Sequence, residues 1–183
     1  MLNGYTVLDL SNRVGWLAGR LLADLGADVI RVEAPDVSTE STDWQAHHVN
    51  KRLLRLDIQT AEGKRAFDRL IAETDILIDS AQPGDASARH LDWSRLKQLN
   101  PRLVQVSVTP FGCEGPRAGW LAADLELMAA GGAMSLAGEP DGAPMRVTVP
   151  QSYGWAGAQA AVGALTAIVH RTTTGIEFVL RTR

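Results

Sequence analysis

Tyr5-Thr-Val-Leu-Asp-Leu-Ser-Asn-Arg-Val-Gly-Trp-Leu-Ala-Gly-Arg-Leu-Leu-Ala-Asp-Leu-Gly-Ala-Asp-Val-Ile-Arg-Val-Glu33 is the stretch that decides the fold. Residues 5–10 are short and rich in β-formers, the pattern of a buried strand. Residues 11–15 read as a turn. Leu17, Leu21, Leu22 and Leu25 then recur at helical spacing, and Gly26 stops the run as the residue after the C-cap. Residues 28–33 are a second strand. Strand, helix and strand in this order predict a parallel unit with a right-handed crossover.

The alternation continues to the end of the chain. Residues 34–50 are polar, aperiodic and long for a loop, which marks a functional or mobile connection. Residues 53–57 form a third strand. Thr60 caps a helix that runs to about residue 73 on Ala66, Phe67, Leu70 and Ile71, with Gly63 inside it. Residues 75–79 are a fourth strand and Pro83-Gly84-Asp85 a turn. A short helix at 93–99 is broken by Asn100-Pro101, and 103–108 is a fifth strand. Residues 110–116 are a Gly- and Pro-rich loop, 122–134 look helical, 146–149 strand-like, and 176–180 a last strand. The pattern predicts an open parallel α/β sheet with helices on both faces and ligands near the carboxyl ends of its strands.

At 183 residues the chain fits one domain with a real core. A net charge of −3 without a basic block or acidic tail speaks against nucleic acid and disorder. Cys113 is the single cysteine, so no internal disulfide forms, which fits a reducing cytosol. The N-terminus lacks a signal-peptide pattern, and the most apolar helix, residues 156–169, is too short for a bilayer and contains Gln159. The expectation is a soluble cytoplasmic protein with no membrane partner.

A second stretch, Val147-Thr-Val-Pro-Gln-Ser-Tyr-Gly-Trp-Ala-Gly157, has the layout of a reactive corner. A β-branched run ends at Pro150, and Ser152 can cap the apolar helix beside it. Tyr153 stands at the start of that helix, near positive backbone dipoles, where it can face a pocket.

The chain resembles the family III CoA-transferases, which include formyl-CoA and carnitine-type CoA-transferases and the α-methylacyl-CoA racemases. The likeness begins with Val7-Leu-Asp-Leu10 and residues 19–33. It continues in order through Asn50-Lys-Arg52, Leu56-Asp57, Thr60-Ala-Glu-Gly63, Asp75-Ile-Leu-Ile78, Pro83-Gly84, Leu99-Asn-Pro-Arg-Leu103, Phe111-Gly112, Gly115-Pro116 and Gly138-Glu-Pro-Asp-Gly142. The resemblance implies a Rossmann-like large domain, a smaller second domain and a homodimer of interlinked chains about twice this length. Residues 1–183 then match the N-terminal part of the large domain, with the small domain absent from this chain.

In that family an aspartate attacks the thioester, forms a mixed anhydride and lets CoA move to a second acid. The matching position here is Tyr153, whose phenol type titrates near 10 and is a poor substitute. The racemases' histidine position is Ala123, in Ala122-Ala123-Asp124. Basic residues expected after the second strand and at position 59 are replaced by Ala34 and Gln59. The remaining candidates for CoA contact are Arg13, Val14, Leu56, Ser80, Arg89 and Thr109, with Lys51 and Arg52 as further phosphate partners. CoA enters as substrate or ligand, with no tightly bound cofactor.

Blander roles compete with each of these. Tyr153 can simply pack its ring and donate one hydrogen bond. Asp124 reads as a structural carboxylate, His47 and His48 as solvated loop side chains, and Cys113 as an incidental thiol. No metal site is proposed. Trp16, Trp93, Trp120 and Trp155 read as core or interface packing. Two classes remain open: a part of an acyl-CoA transferase, or a non-catalytic relative that binds a CoA-like ligand or pairs with a competent chain. A homo-oligomer or a pairing with a second CoA-transferase chain follows from either.

Overall fold

The computed structural model describes residues 1–85, 90–174 and 179–182. Its strands are β1 (Thr6–Leu10), β2 (Asp28–Glu33), β3 (Arg52–Arg55), β4 (Ile76–Asp79), β5 (Val104–Val108) and β6 (Val179–Thr182). They form one parallel sheet in the order β3-β2-β1-β4-β5-β6. This is the strand order of a Rossmann-like doubly wound sheet, with its reversal point between β1 and β4. The expected α/β architecture is therefore the one observed.

Strand parity sorts the core into two layers. Val7, Val29, Ile76, Ile78, Val104 and Val106 point to one face, against α1 (Trp16–Asp24) and the long α6 (Gln151–Thr174). Leu8, Leu77, Leu103 and Val32 point to the other, against α3 (Ala61–Ala72) and α4 (Trp93–Leu99). The core face of α6 is Ala160, Ala161, Ala164, Ala167 and Ile168, small enough for close approach. A Cβ on Gly157 would lie 2.7 Å from Leu17 Cβ, so glycine sets the α1–α6 contact.

The steps β1→β2 and β5→β6 run in opposite directions across the sheet, yet α1 and α6 share a face. The two crossovers therefore differ in hand, and only one can have the usual right-handed form. Residues 109–150, with α5 (Asp124–Ala130) and a 3-10 turn (Ala133–Leu136), carry the chain back over the carboxyl edge to reach the α1 face. That detour brings the start of α6 beside the turn after β1.

Several expectations from the sequence need correction. Residues 34–50 are not all loop: Thr42–His48 is a helix, α2, whose cap Ser41 accepts from Trp44 N–H at 3.1 Å. The run 146–149 is no strand; Val147 and Val149 are exposed, and Arg146 reaches Asp124 instead. The helix expected at 122–134 is shorter, ending at Ala130, where Gly131 and left-handed Gly132 interrupt it. Ser152 is not the cap of α6 but lies in its first turn. Of the tryptophans expected in core or interface packing, Trp120 and Trp155 are not in the core of this chain, at 55% and 58% exposed. The last strand begins at Val179; 176–178 lie outside the described residues. Among the described residues no helix is long and apolar enough to cross a membrane.

Candidate active site

The turn after β1 is shaped by a buried charge cluster beneath it. Asp9 is fully buried; its Oδ2 accepts from Lys51 Nζ at 2.7 Å and its Oδ1 from Arg31 at 3.0 Å and Ser11 Oγ at 2.6 Å. Arg31 also bonds Glu33 at 2.7 Å and the Ser11 carbonyl at 2.6 Å. Burial pushes the Asp9 carboxyl up, but the Arg31 and Lys51 charges outweigh it and hold Asp9 below the ordinary value. Burial holds the Lys51 ammonium below its ordinary value despite Asp9. Lys51 is thus a structural cation rather than a phosphate contact, while Arg52 pairs with Asp28 on the surface at 2.5 Å.

His48 is buried, against the expectation of a solvated loop residue. It stacks on Trp44 with ring centroids 4.1 Å apart and meets the edge of Trp16 at 5.0 Å. Its Nδ1 lies 2.6 Å from the Trp44 carbonyl, so that nitrogen carries the proton. Burial, with Lys51 nearby, lowers its pKa to about 4.

The start of α6 is held by a different element. Asp124 Oδ1 accepts from Ser152 N–H at 2.9 Å and from Ser152 Oγ at 2.7 Å. This carboxylate satisfies a first-turn amide of α6 from outside the helix. Its Oδ2 makes no hydrogen bond and faces Arg146 at 3.7 Å. The Asp124 amide donates to the Tyr153 hydroxyl at 3.1 Å. Ala123, at the α5 N-cap, contributes only its backbone, whose N–H donates to Glu126 at 2.9 Å.

Hollows lie along the carboxyl edge among the described residues. One of about 290 Å³ is lined by Arg13, Leu17, Asp43, His47, Val149, Pro150, Tyr153 and Gly154. Arg13 lies 6.0 Å from the Tyr153 ring and forms an exposed ion pair with Asp43 at 2.9 Å. A second, about 380 Å³, is lined by Val14, Ser152 and Thr109, among others. A third, about 220 Å³, holds Leu56 with Ala34 and Gln59.

The sequence candidates are thus partly gathered. Arg13, Val14 and Ser80 follow β1 and β4 at the reversal point, and Thr109 follows the neighbouring β5. Ser80 Oγ and Thr109 Oγ1 are buried without a hydrogen-bond partner. Leu56 stands apart in its own hollow, and Arg89 lies outside the described residues. The Asp124–Ser152 bond joins the first turns of two helices 28 residues apart, a contact that neither local sequence signals.

Comparison with known proteins places this geometry in a family. A family model described as CoA-transferase family III matches residues 2–182. The chain is 31% identical to succinate–glutarate CoA-transferase of Agrobacterium fabrum, over 95% of this chain and 48% of that protein. It is 34% identical to a subunit of succinyl-CoA:(R)-benzylsuccinate CoA-transferase of Thauera aromatica, over 93% of this chain and 45% of that one. The crystal structure of a CAIB/BAIF family protein from Brucella suis superposes with a TM-score of 0.88 at 32% identity, covering 98% of this chain and 52% of that one. The chain spans about half the length of these relatives. Fold and sequence agree on one assignment: this chain belongs to the family III CoA-transferases.

Proposed function

We propose that residues 1–183 form the N-terminal, CoA-binding part of a family III CoA-transferase large domain in which Tyr153 replaces the aspartate nucleophile. The observation that carries the reading is the corner itself. Tyr153 lines the hollow beside Arg13, in the turn–helix setting where the family's aspartate is expected. A carboxylate there would be ionised at neutral pH and would attack a thioester directly. The Tyr153 oxygen instead accepts the Asp124 amide, and Asp43, the one carboxylate among the described lining residues, is held by Arg13.

In this reading the chain binds a CoA thioester through Arg13, Val14, Ser80 and Thr109. Transfer by the aspartyl-anhydride route requires another chain, in a cytoplasmic setting consistent with the single Cys113. A relative named as a subunit supports such a pairing. So do the outward residues Trp155, Val162 and Val169 of α6, all more than half exposed.

Calorimetric titration with CoA tests the reading. Heat that weakens with added salt, and weakens further in Arg13→Ala, is expected. Absence of heat at millimolar CoA overturns CoA binding by this chain. Sedimentation showing a monomer that persists on addition of a full-length relative overturns the pairing.

A further inference from the structure

The hollow of about 290 Å³ beside Tyr153 also holds a histidine that the reading above leaves unused. His47, on α2, is half-buried rather than solvated, and its ring stands 5.8 Å from that of Trp16. Its Nδ1 donates to the Asp43 carbonyl at 2.8 Å, so that nitrogen carries the proton. Nε2 is then the acceptor, and among the described residues no hydrogen bond occupies it. The Asp43 carboxylate lies beside the same Nδ1, with Oδ1 3.5 Å away, while its Oδ2 meets Arg13 Nε at 2.9 Å. Asp43 thus faces His47 from one turn earlier on α2 and is itself fixed by the turn after β1. A base with an orienting carboxylate and one open nitrogen is built to take a proton from a nucleophile. The described lining offers that base no thiol and no aliphatic hydroxyl, so water is the nucleophile left to it.

We infer that this hollow hydrolyses a short-chain acyl thioester, with His47 as general base, Asp43 as the residue that positions it, and water as nucleophile. The water oxygen bonds to the thioester carbonyl carbon as one of its protons passes to Nε2. The C–S bond then breaks, and the proton on Nε2 goes to the departing thiolate. One thioester and one water give one carboxylic acid and one thiol, and no acyl group rests on the protein. While the imidazole holds the proton, the Asp43 carboxylate stabilises the cation beside it. Leu17, Val149 and Pro150 supply an apolar wall, and the volume suits a short acyl group rather than a nucleotide. The inference rests on the reading above for delivery of the thioester. It adds a reaction that needs no second acid and no other chain.

The test incubates the 183-residue chain with acetyl-CoA, or with S-acetyl-N-acetylcysteamine, a thioester without a nucleotide. No acceptor acid is present, and thiol release is followed by chromatography. Release above the buffer rate is expected from both. His47→Gln should slow it about a hundredfold, the low end for a general base. His47→Ala should be as slow, and added imidazole should restore part of the rate, which a merely structural ring would not allow. Asp43→Asn should lower kcat severalfold with His47 in place and add nothing to His47→Gln, because it acts through that ring. No release above the buffer rate, or release that both His47 variants leave unchanged, overturns the inference. Slowing in His47→Ala without imidazole rescue overturns its role as base. A parallel CoA titration separates the two readings. CoA heat without thiol release from either thioester sinks hydrolysis alone. Release from S-acetyl-N-acetylcysteamine that depends on His47, without CoA heat, sinks the CoA reading and leaves hydrolysis standing.

Discussion

Two carboxylates on the carboxyl side of the sheet have opposite surroundings. Asp9, under the first turn, is bound on both oxygens within a closed set of two acids and two bases, Asp9, Glu33, Arg31 and Lys51. Asp124, at the α6 corner, is also buried, yet one oxygen goes without a hydrogen bond and its ion-pair partner is a half-exposed arginine. The first arrangement is complete in itself and can only hold shape. The second is incomplete, as a surface that meets a ligand or another chain would be. A buried charge that is fully paired specifies structure; one left partly paired marks where the molecule is open to something else.

The largest effect should come from breaking the closed set. Asp9→Asn leaves the buried Lys51 and Arg31 with one anion between them, and should cost about 3–5 kcal/mol in urea unfolding. Replacing both partners, Asp9→Leu with Lys51→Met, should cost less than the single change. If the single change proves the milder, the cluster is not the tight unit described here. Gly19 belongs to the same unit, since a Cβ there would collide with the Asp9 carboxylate and lie 3.0 Å from Lys51 Nζ.

This contrast also explains what the sequence disclosed. Leu17, Leu21, Leu22 and Leu25 repeat at one helical face, and the short β-branched runs have no other use, so the sheet could be read from them. Thr60 was legible as a cap because its partner, the Gly63 amide, lies three residues away at 3.0 Å. The hidden features depend on contacts remote in sequence. Lys51 reaches Asp9 across 42 positions, and Ser152 reaches Asp124 across 28. Lys51 therefore looked like a phosphate ligand, and Ser152 like a cap. Helix α2 was missed because its apolar face is only Trp44 and His48, paired four residues apart and completed by distant Trp16.

The next effect is a dependence on pH next to the closed cluster. His48 is neutral in the folded state because burial and Lys51 lower its pKa from 6.5 to about 4. The unfolded chain takes up the proton first as pH falls. The stability this site contributes is therefore complete above pH 6.5 and is lost between 6.5 and about 4. A loss of about 2 kcal/mol is expected, after discounting the shift for screening on a surface helix. Urea midpoints measured down this pH range should fall, and His48→Phe should flatten that part of the curve. Asp9 titrates in the same direction but below its ordinary value, so it adds only to the more acid side.

The open corner should respond more weakly. Asp124→Ala leaves the Ser152 amide and hydroxyl without their acceptor and should cost about 1–2 kcal/mol. Amide exchange should rise in the first turn of α6 and not in β1. Equal protection loss in both places would show that the two regions form one unit, and the contrast would fail.

Tyr153→Phe should have the smallest effect of all. The phenol oxygen receives one neutral hydrogen bond, from the Asp124 amide, in a half-buried position that water can reach. Removing it should cost at most about 1 kcal/mol, because a net hydrogen bond contributes about that much. The ring would still pack on the α1–α6 core and keep Arg13 near its face. Binding of CoA should therefore be unchanged, and so should transfer by any assembly that contains this chain. Hydroxylamine added during turnover should leave residue 153 unmodified, because no acyl group would rest there. The opposite result has a clear meaning. If Tyr153→Phe abolished transfer while folding and CoA binding stayed intact, the phenol would be acting as nucleophile or proton donor. The corner around Asp124 would then be a working site rather than a structural one.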